Sequence, residues 1–289
     1  MMQTFYASDG VRLAYYVDDH TDPWREPQTI LMLHSAMSSA RRFYSMVPGL
    51  AAHYRVVRLD SRGHGASQVP PPDVPHSKER LSKDVLELLD TLGLEKVHII
   101  GGSAGGYTGQ LLAIDHPQAV VKVAVLDIAP TLAIYEQTNE AFARAYWHWF
   151  FLILPAPVPE RMIGNDLEGV LPAKMGMGSA GMSPFAPAAW AQYVRCFTPG
   201  MVHASCEDYR AAASIDLVHD RADREAGRKV KAPLLVLWGA RGVVEKCFKP
   251  LDEWRRVADD VRGHALPAGH YLPEEVPDLV ADELEEFFR

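Results

Sequence analysis

The sequence predicts an α/β fold: an open, mostly parallel sheet interrupted by a helical insertion. Three observations predict it. Short apolar runs without polar alternation recur in the first and last parts of the chain, as in strands covered on both faces. Helical periodicity fills the gaps between them, the strand–helix–strand rhythm of right-handed crossovers. From about Thr131 to Gly227 the runs stop, and Pro, Gly and clustered aromatics (Tyr146, Trp147, Trp149, Phe150, Phe151) take their place. Residues 1–130 and 228–289 are assigned to the sheet core and 131–227 to a helical cap.

The elements follow in order. Val11–Val17 reads as a strand after the turn Ser8-Asp9-Gly10. Ile30–Leu33 runs into His34, Arg55–Leu59 into Asp60, Val97–Ile100 into Gly101-Gly102, and Val120–Leu126 into Asp127. Leu81, Val85, Leu88, Leu89 and Leu92 share one helical face, with Gly93 as its stop. A second helix is expected from Gly105 to about Asp115, ending near Pro117. Leu234–Trp238 resumes the sheet, a last short strand follows, and Val276, Leu279, Val280, Leu284, Phe287 and Phe288 form one face of a closing helix. Functional groups in such a sheet collect at the carboxyl ends of the strands.

Composition narrows the function. With 289 residues the chain buries roughly three quarters of its unfolded surface and needs no disulfide or metal staple. A net charge of −8, from 29 basic and 37 acidic side chains, argues against nucleic-acid and anionic-membrane partners. Cys196, Cys206 and Cys247 are too scattered for a disulfide framework or zinc site and read as small buried hydrophobes. The first residues, Met1-Met2-Gln3-Thr4-Phe5, have neither the basic start nor the apolar run of a signal peptide or span, so a cytoplasmic protein is expected.

The chemistry is written at the strand ends. Gly101-Gly102-Ser103-Ala104-Gly105 is a G-x-S-x-G between an expected strand and an expected helix. The serine of such a turn sits on a sharp, strained backbone that pushes its hydroxyl into the cleft, and bulk at the flanking glycines would clash with strand and helix. The Ala104 N–H, at the start of the helix, can stabilise an oxyanion. His270, in the Pro- and Gly-flanked loop Pro267–Pro273, is the candidate general base. Asp127 is the preferred acid to orient it. The commoner position, after Leu234–Trp238, offers only Glu245, which stays as the alternative. The loop after Ile30–Leu33 should give the second oxyanion donor, the Ala36 N–H, with His34 holding the loop. Arg62-Gly63-His64-Gly65 reads as a tight loop under the site. Gly176–Gly181 matches G-x-G-x-x-G but follows no strand, so it reads as a flexible cap loop; Asp216–Lys231 reads as a solvated helix face.

These residues resemble the α/β-hydrolase superfamily, and several segments resemble its haloacetate (fluoroacetate) dehalogenase branch: Leu126–Thr131, Tyr146-Trp147-His148-Trp149, Pro155–Glu160, Cys206–Ala211 and Gly269–Glu275. The resemblance spans nearly the whole chain. It implies a mostly parallel eight-stranded sheet, a triad acid after the sixth strand at Asp127, a halide-holding set at His148, Trp149 and Tyr209, and a homodimer. It breaks at the elbow. That branch carries Gly-His-Asp-Arg-Gly-x-Arg, whereas Ser103 stands here at the aspartate position and Ala104 and Tyr107 at the two arginines. An aspartate that displaces halide leaves an ester that water cleaves; a serine would leave an inert ether. Serine works by attack on a carbonyl. The expected function is therefore hydrolysis of a small, largely apolar carboxylic ester, without dehalogenation. Met37, Tyr107, Trp147, His148, Trp149 and Tyr209 are expected to line the pocket, and no metal or cofactor is implied. A lactonase, a thioesterase, a carbon–carbon bond hydrolase and a catalytically silent binding protein stay open.

Overall fold

A computed structural model describes residues 2–71, 74–178 and 181–289. The strands are β1 (Met2–Tyr6), β2 (Arg12–Asp18), β3 (Thr29–Leu33), β4 (Arg55–Asp60), β5 (Val97–Gly102), β6 (Val120–Leu126), β7 (Leu234–Gly239) and β8 (Val261–Leu266). They form one 8-stranded sheet in the order β1-β2-β4-β3-β5-β6-β7-β8. Pairing is antiparallel at β1–β2 and β2–β4 and parallel from β4 onward.

The apolar runs were legible because the inner strands are covered on both faces. Leu31, Val57, Ile99, Val123 and Val125 point to one side, toward helices Lys78–Leu92 and Ala104–Asp115. Ile30, Met32, Val56, Ile100, Ala124 and Leu235 point to the other, toward the closing helix Pro277–Phe288. Each fully buried Leu, Ile or Val contributes about 1.5–3 kcal/mol. Gly93 ends its helix in the left-handed region at φ 64°, which a glycine enters without steric cost.

β4 and β5 flank β3 on opposite sides, so the chain reverses its direction of travel across the sheet there. A crevice opens beyond the carboxyl ends of strands at such a point. Helices from Thr131–Gln137 to Ile215–Glu225 fill the connection between β6 and β7, which holds no strand among the described residues. A third apolar cluster packs this insertion on itself and against Met37 and Tyr271 of the core.

Four expectations change. β1 was not anticipated: it is an edge strand with only Phe5 buried, so it carries no apolar run. Leu279 is exposed; the closing helix buries Val280, Leu284, Phe287 and Phe288 instead. Asp216 is buried, its carboxylate accepting the Lys78 N–H at 3.0 Å, so the 216–231 stretch is not solvated throughout. Gly176, Met177 and Gly178 are the last turn of the cap helix Leu167–Gly178 rather than a loop; Ser179 and Ala180 lie outside the described residues. Among the described residues no helix is long and apolar enough to cross a membrane.

Candidate active site

Ser103 follows β5 and immediately precedes the helix Ala104–Asp115, at φ 51° and ψ −120°. Such a conformation costs a non-glycine residue about 1–3 kcal/mol and persists only when its surroundings enforce it. Here they do. The Ser103 N–H donates to Leu126 O at 2.9 Å and Ser103 O accepts the Gly106 N–H at 2.8 Å, pinning the turn between β6 and the helix. A Cβ on Gly105 would stand 2.1 Å from Leu33 O, and one on Gly101 2.4 Å from the Gly106 backbone. The two motif glycines let strand and helix approach this closely.

Asp127 closes β6, fully buried and also in the left-handed region at φ 52°. Its Oδ1 accepts the Gly239 N–H at 2.9 Å and its Oδ2 lies 2.6 Å from His270 Nδ1. Nδ1 therefore carries the proton, which leaves Nε2 free to accept one. Tyr146 Oη stands 3.0 Å from the same nitrogen. Glu245 is exposed and accepts the Trp238 indole N–H, and no hydrogen bond or ion pair joins it to His270. At the end of β7 a Cβ on Gly239 would meet Gly269 O at 2.0 Å, so no side chain fits there.

The His270 loop is held from three directions. The Glu275 carboxylate accepts the Gly269 and Tyr271 N–H groups at 2.8 and 3.2 Å, the His270 N–H donates to Gly178 O at 2.7 Å, and Arg42 Nη2 donates to His270 O at 3.2 Å. Burial holds the imidazole below its ordinary pKa, although Asp127 pulls the other way. A neutral ring is the form able to take a proton.

After β3, His34 Nδ1 donates to Ser35 O at 2.7 Å while Nε2 accepts the Ser61 N–H at 3.0 Å. Burial pushes this histidine down to about 3, so it is a neutral strut. His64 packs beside it and lies 3.1 Å from Ser205 Oγ, which accepts the Met37 N–H at 3.1 Å.

Two cavities meet at Ser103 and Ala36. One, of about 810 Å³ with its mouth included, runs past Ala104, Tyr107 and Trp149 to Leu81 and Val85, with His76, Lys78 and Asp208 among its polar lining. The other, of about 510 Å³, lies on the side of the helical insertion and is bordered by Tyr146, Trp147, His148, Lys174 and His270. Trp149 and Tyr209 border both. Of the expected lining residues, Met37 borders neither; it is buried in the cap's apolar cluster. The Tyr107 hydroxyl donates to Ala129 O at 3.1 Å. Sequence reading passed over Tyr146, Arg42 and Lys174. Tyr146 stood out only as one of the clustered aromatics; Lys174 is the one cation in the Leu-, Met- and Gly-rich helix Leu167–Gly178.

Among the described residues one metal-like grouping occurs, Glu160, His203 and Glu207. Arg210 already bonds both glutamates, at 2.7 and 2.5 Å, so a guanidinium fills the place of a cation.

Residues 28–275 match the model of the alpha/beta hydrolase fold family. The chain belongs to that family. Its sequence is 38% identical to the fluoroacetate dehalogenase of Burkholderia sp over 266 residues, 89% of this chain and 86% of that one. It is 28% identical to the soluble epoxide hydrolase of Corynebacterium sp. strain C12 over 267 residues, 90% of this chain and 89% of that one. Among solved structures, this alpha/beta hydrolase superposes on ALR0039 of Nostoc sp PCC 7120 with a TM-score of 0.93 at 38% identity, covering 100% of this chain and 97% of that one. The epoxide hydrolase CorEH superposes with a TM-score of 0.87 at 25% identity, covering 100% and 99%.

Proposed function

We propose that this alpha/beta hydrolase cleaves a carboxylic ester through a serine acyl-enzyme. The observation that carries the reading is the Asp127–His270 hydrogen bond of 2.6 Å at a cavity whose wall also includes Ser103 on its strained turn. Ser103 Oγ attacks the ester carbonyl carbon as His270 Nε2 takes the hydroxyl proton. The tetrahedral oxyanion is held by the N–H groups of Ala36 and Ala104; the latter opens a helix and has no acceptor within it. As the intermediate collapses, the bond to the alcohol oxygen breaks and His270 returns the proton to that oxygen. Water then attacks the acyl-enzyme with His270 as base, releasing the acid and restoring Ser103. Asp127 fixes the tautomer and stabilises the imidazolium.

Relatedness to a fluoroacetate dehalogenase and an epoxide hydrolase does not supply a better reading for this elbow. Displacement at an alkyl carbon by Ser103 would leave an ether that water does not cleave. Attack on a carbonyl leaves an ester that it does. The test is a panel of p-nitrophenyl esters of graded acyl length beside chloroacetate and fluoroacetate. Ester turnover that Ser103→Ala abolishes, with the fold intact by circular dichroism, is expected, together with no halide release. Turnover near wild type in Ser103→Ala, or measurable halide, would remove the serine mechanism.

A further inference from the structure

Resting on that reading, we propose that Lys174 is a recognition residue for a carboxylate on the alcohol portion of the ester. The substrate is then an anionic ester, apolar at its acyl end.

The first ground is position. His270 borders the cap-side cavity and not the larger one. A general acid must stand beside the leaving oxygen. The alcohol portion therefore occupies the cap-side cavity, where Lys174 projects from the helix Leu167–Gly178. The acyl portion is left with the larger cavity and its Leu81, Val85 and Trp149 wall.

The second ground is charge. Lys174 has no ion-pair or hydrogen-bond partner among the described residues. Arg42, buried behind the cavity, donates from Nη1 to Ser35 Oγ and from Nη2 to His270 O, leaves Nε without a hydrogen-bond partner, and forms no ion pair among the described residues. The carboxylate of Asp127 is committed to His270 and Gly239. Glu274 is bonded to the Tyr193 hydroxyl, and burial raises it to about 7. The cavity wall is thus cationic without an internal counter-ion. Lys174 is half-buried, and a partly desolvated ammonium is costly until an anion joins it; burial lowers it to about 8. An incoming carboxylate supplies the missing partner, and a charge-assisted hydrogen bond holds it.

The experiment compares kcat/KM for the butanoyl ester of glycolate with that for the butanoyl ester of methyl glycolate, its neutral counterpart. Wild type is expected to prefer the anionic ester about 10- to 100-fold, the range of a hydrogen bond to a charged group. Lys174→Gln should lower that preference at least tenfold and Lys174→Arg should keep most of it. The preference should also fall as pH rises through about 8 and the ammonium is lost, a fall that Lys174→Arg removes. The other groups around Lys174 are Arg42, His148, His270, Tyr146, Tyr209 and Tyr271; comparison of the Lys174 variants separates their titration from its own. A binding arm needs no ester: butoxyacetate should bind wild type more tightly than butoxyacetamide does, and Lys174→Gln should erase the difference in calorimetry. An unchanged preference in Lys174→Gln, or equal binding of the two ethers by wild type, overturns the proposal. Anion-selective binding without hydrolysis of either ester would instead overturn the serine reading and leave the anion site standing.

Discussion

At the scale of single residues, the site is a set of side chains whose protonation is fixed by hydrogen bonds. His270 donates its Nδ1–H in a hydrogen bond to Asp127, and burial keeps the ring neutral at mild acidity. Base catalysis is lost as pH falls through the folded pKa, because the ring must be neutral to accept a proton. The acid limb of kcat/KM is therefore expected below the ordinary histidine value of about 6.5, and a pH–rate profile from pH 4 to 8 checks it. Asp127→Asn should lower kcat by about four orders of magnitude through the wrong tautomer. If Glu245→Gln does so instead, the acid assignment fails. Ser103, Asp127 and His270 were legible because each closes or follows a recognisable strand. Lys174 was not, because a lone lysine in a helix is ordinarily a solvated one. Met37 was misjudged: its place beside Ala36 matched a pocket residue, but its side chain packs into the cap.

At the scale of elements, the elbow and the His270 loop are the parts that cannot be altered freely. Gly105→Ala would place a Cβ 2.1 Å from Leu33 O, a backbone atom with nowhere to go. A loss of about 1–3 kcal/mol or more is expected, visible as a lower Tm. Glu274, which accepts the Tyr193 hydroxyl beside the His270 loop, offers a pH test of its burial. Burial raises its carboxyl to about 7, above the ordinary 4.5, so the folded state holds a proton that the unfolded state has released between those values. Stability from this group is present below about 4.5 and is lost as pH rises toward 7. Thermal unfolding at pH 5 and pH 8 should show a smaller difference for Glu274→Gln than for wild type; an equal difference would contradict the burial argument. Inner strands were readable as unbroken apolar runs. The edge strand β1 was not, since exposure on one face removes the signal, and cap helix boundaries were blurred by Pro and Gly within them.

At the scale of the whole molecule, a mostly parallel sheet reverses its direction of travel at β3 and a helical insertion fills the connection between β6 and β7, with two cavities that meet at Ser103 and Ala36. The sheet and the position of the opening were visible in the order of apolar runs. The two cavities were not, because they depend on how cap side chains separated by scores of residues come together. The proposed substrate with two unlike ends rests on this division of space, and on Ser103 acting as the nucleophile. The most direct measurement is intact-protein mass spectrometry after exposure to a fluorophosphonate probe, with the modified residue located by peptide sequencing. A single adduct on Ser103, slowed severely in His270→Ala, is the expected result. An unmodified protein, or an adduct on another residue, would contradict it.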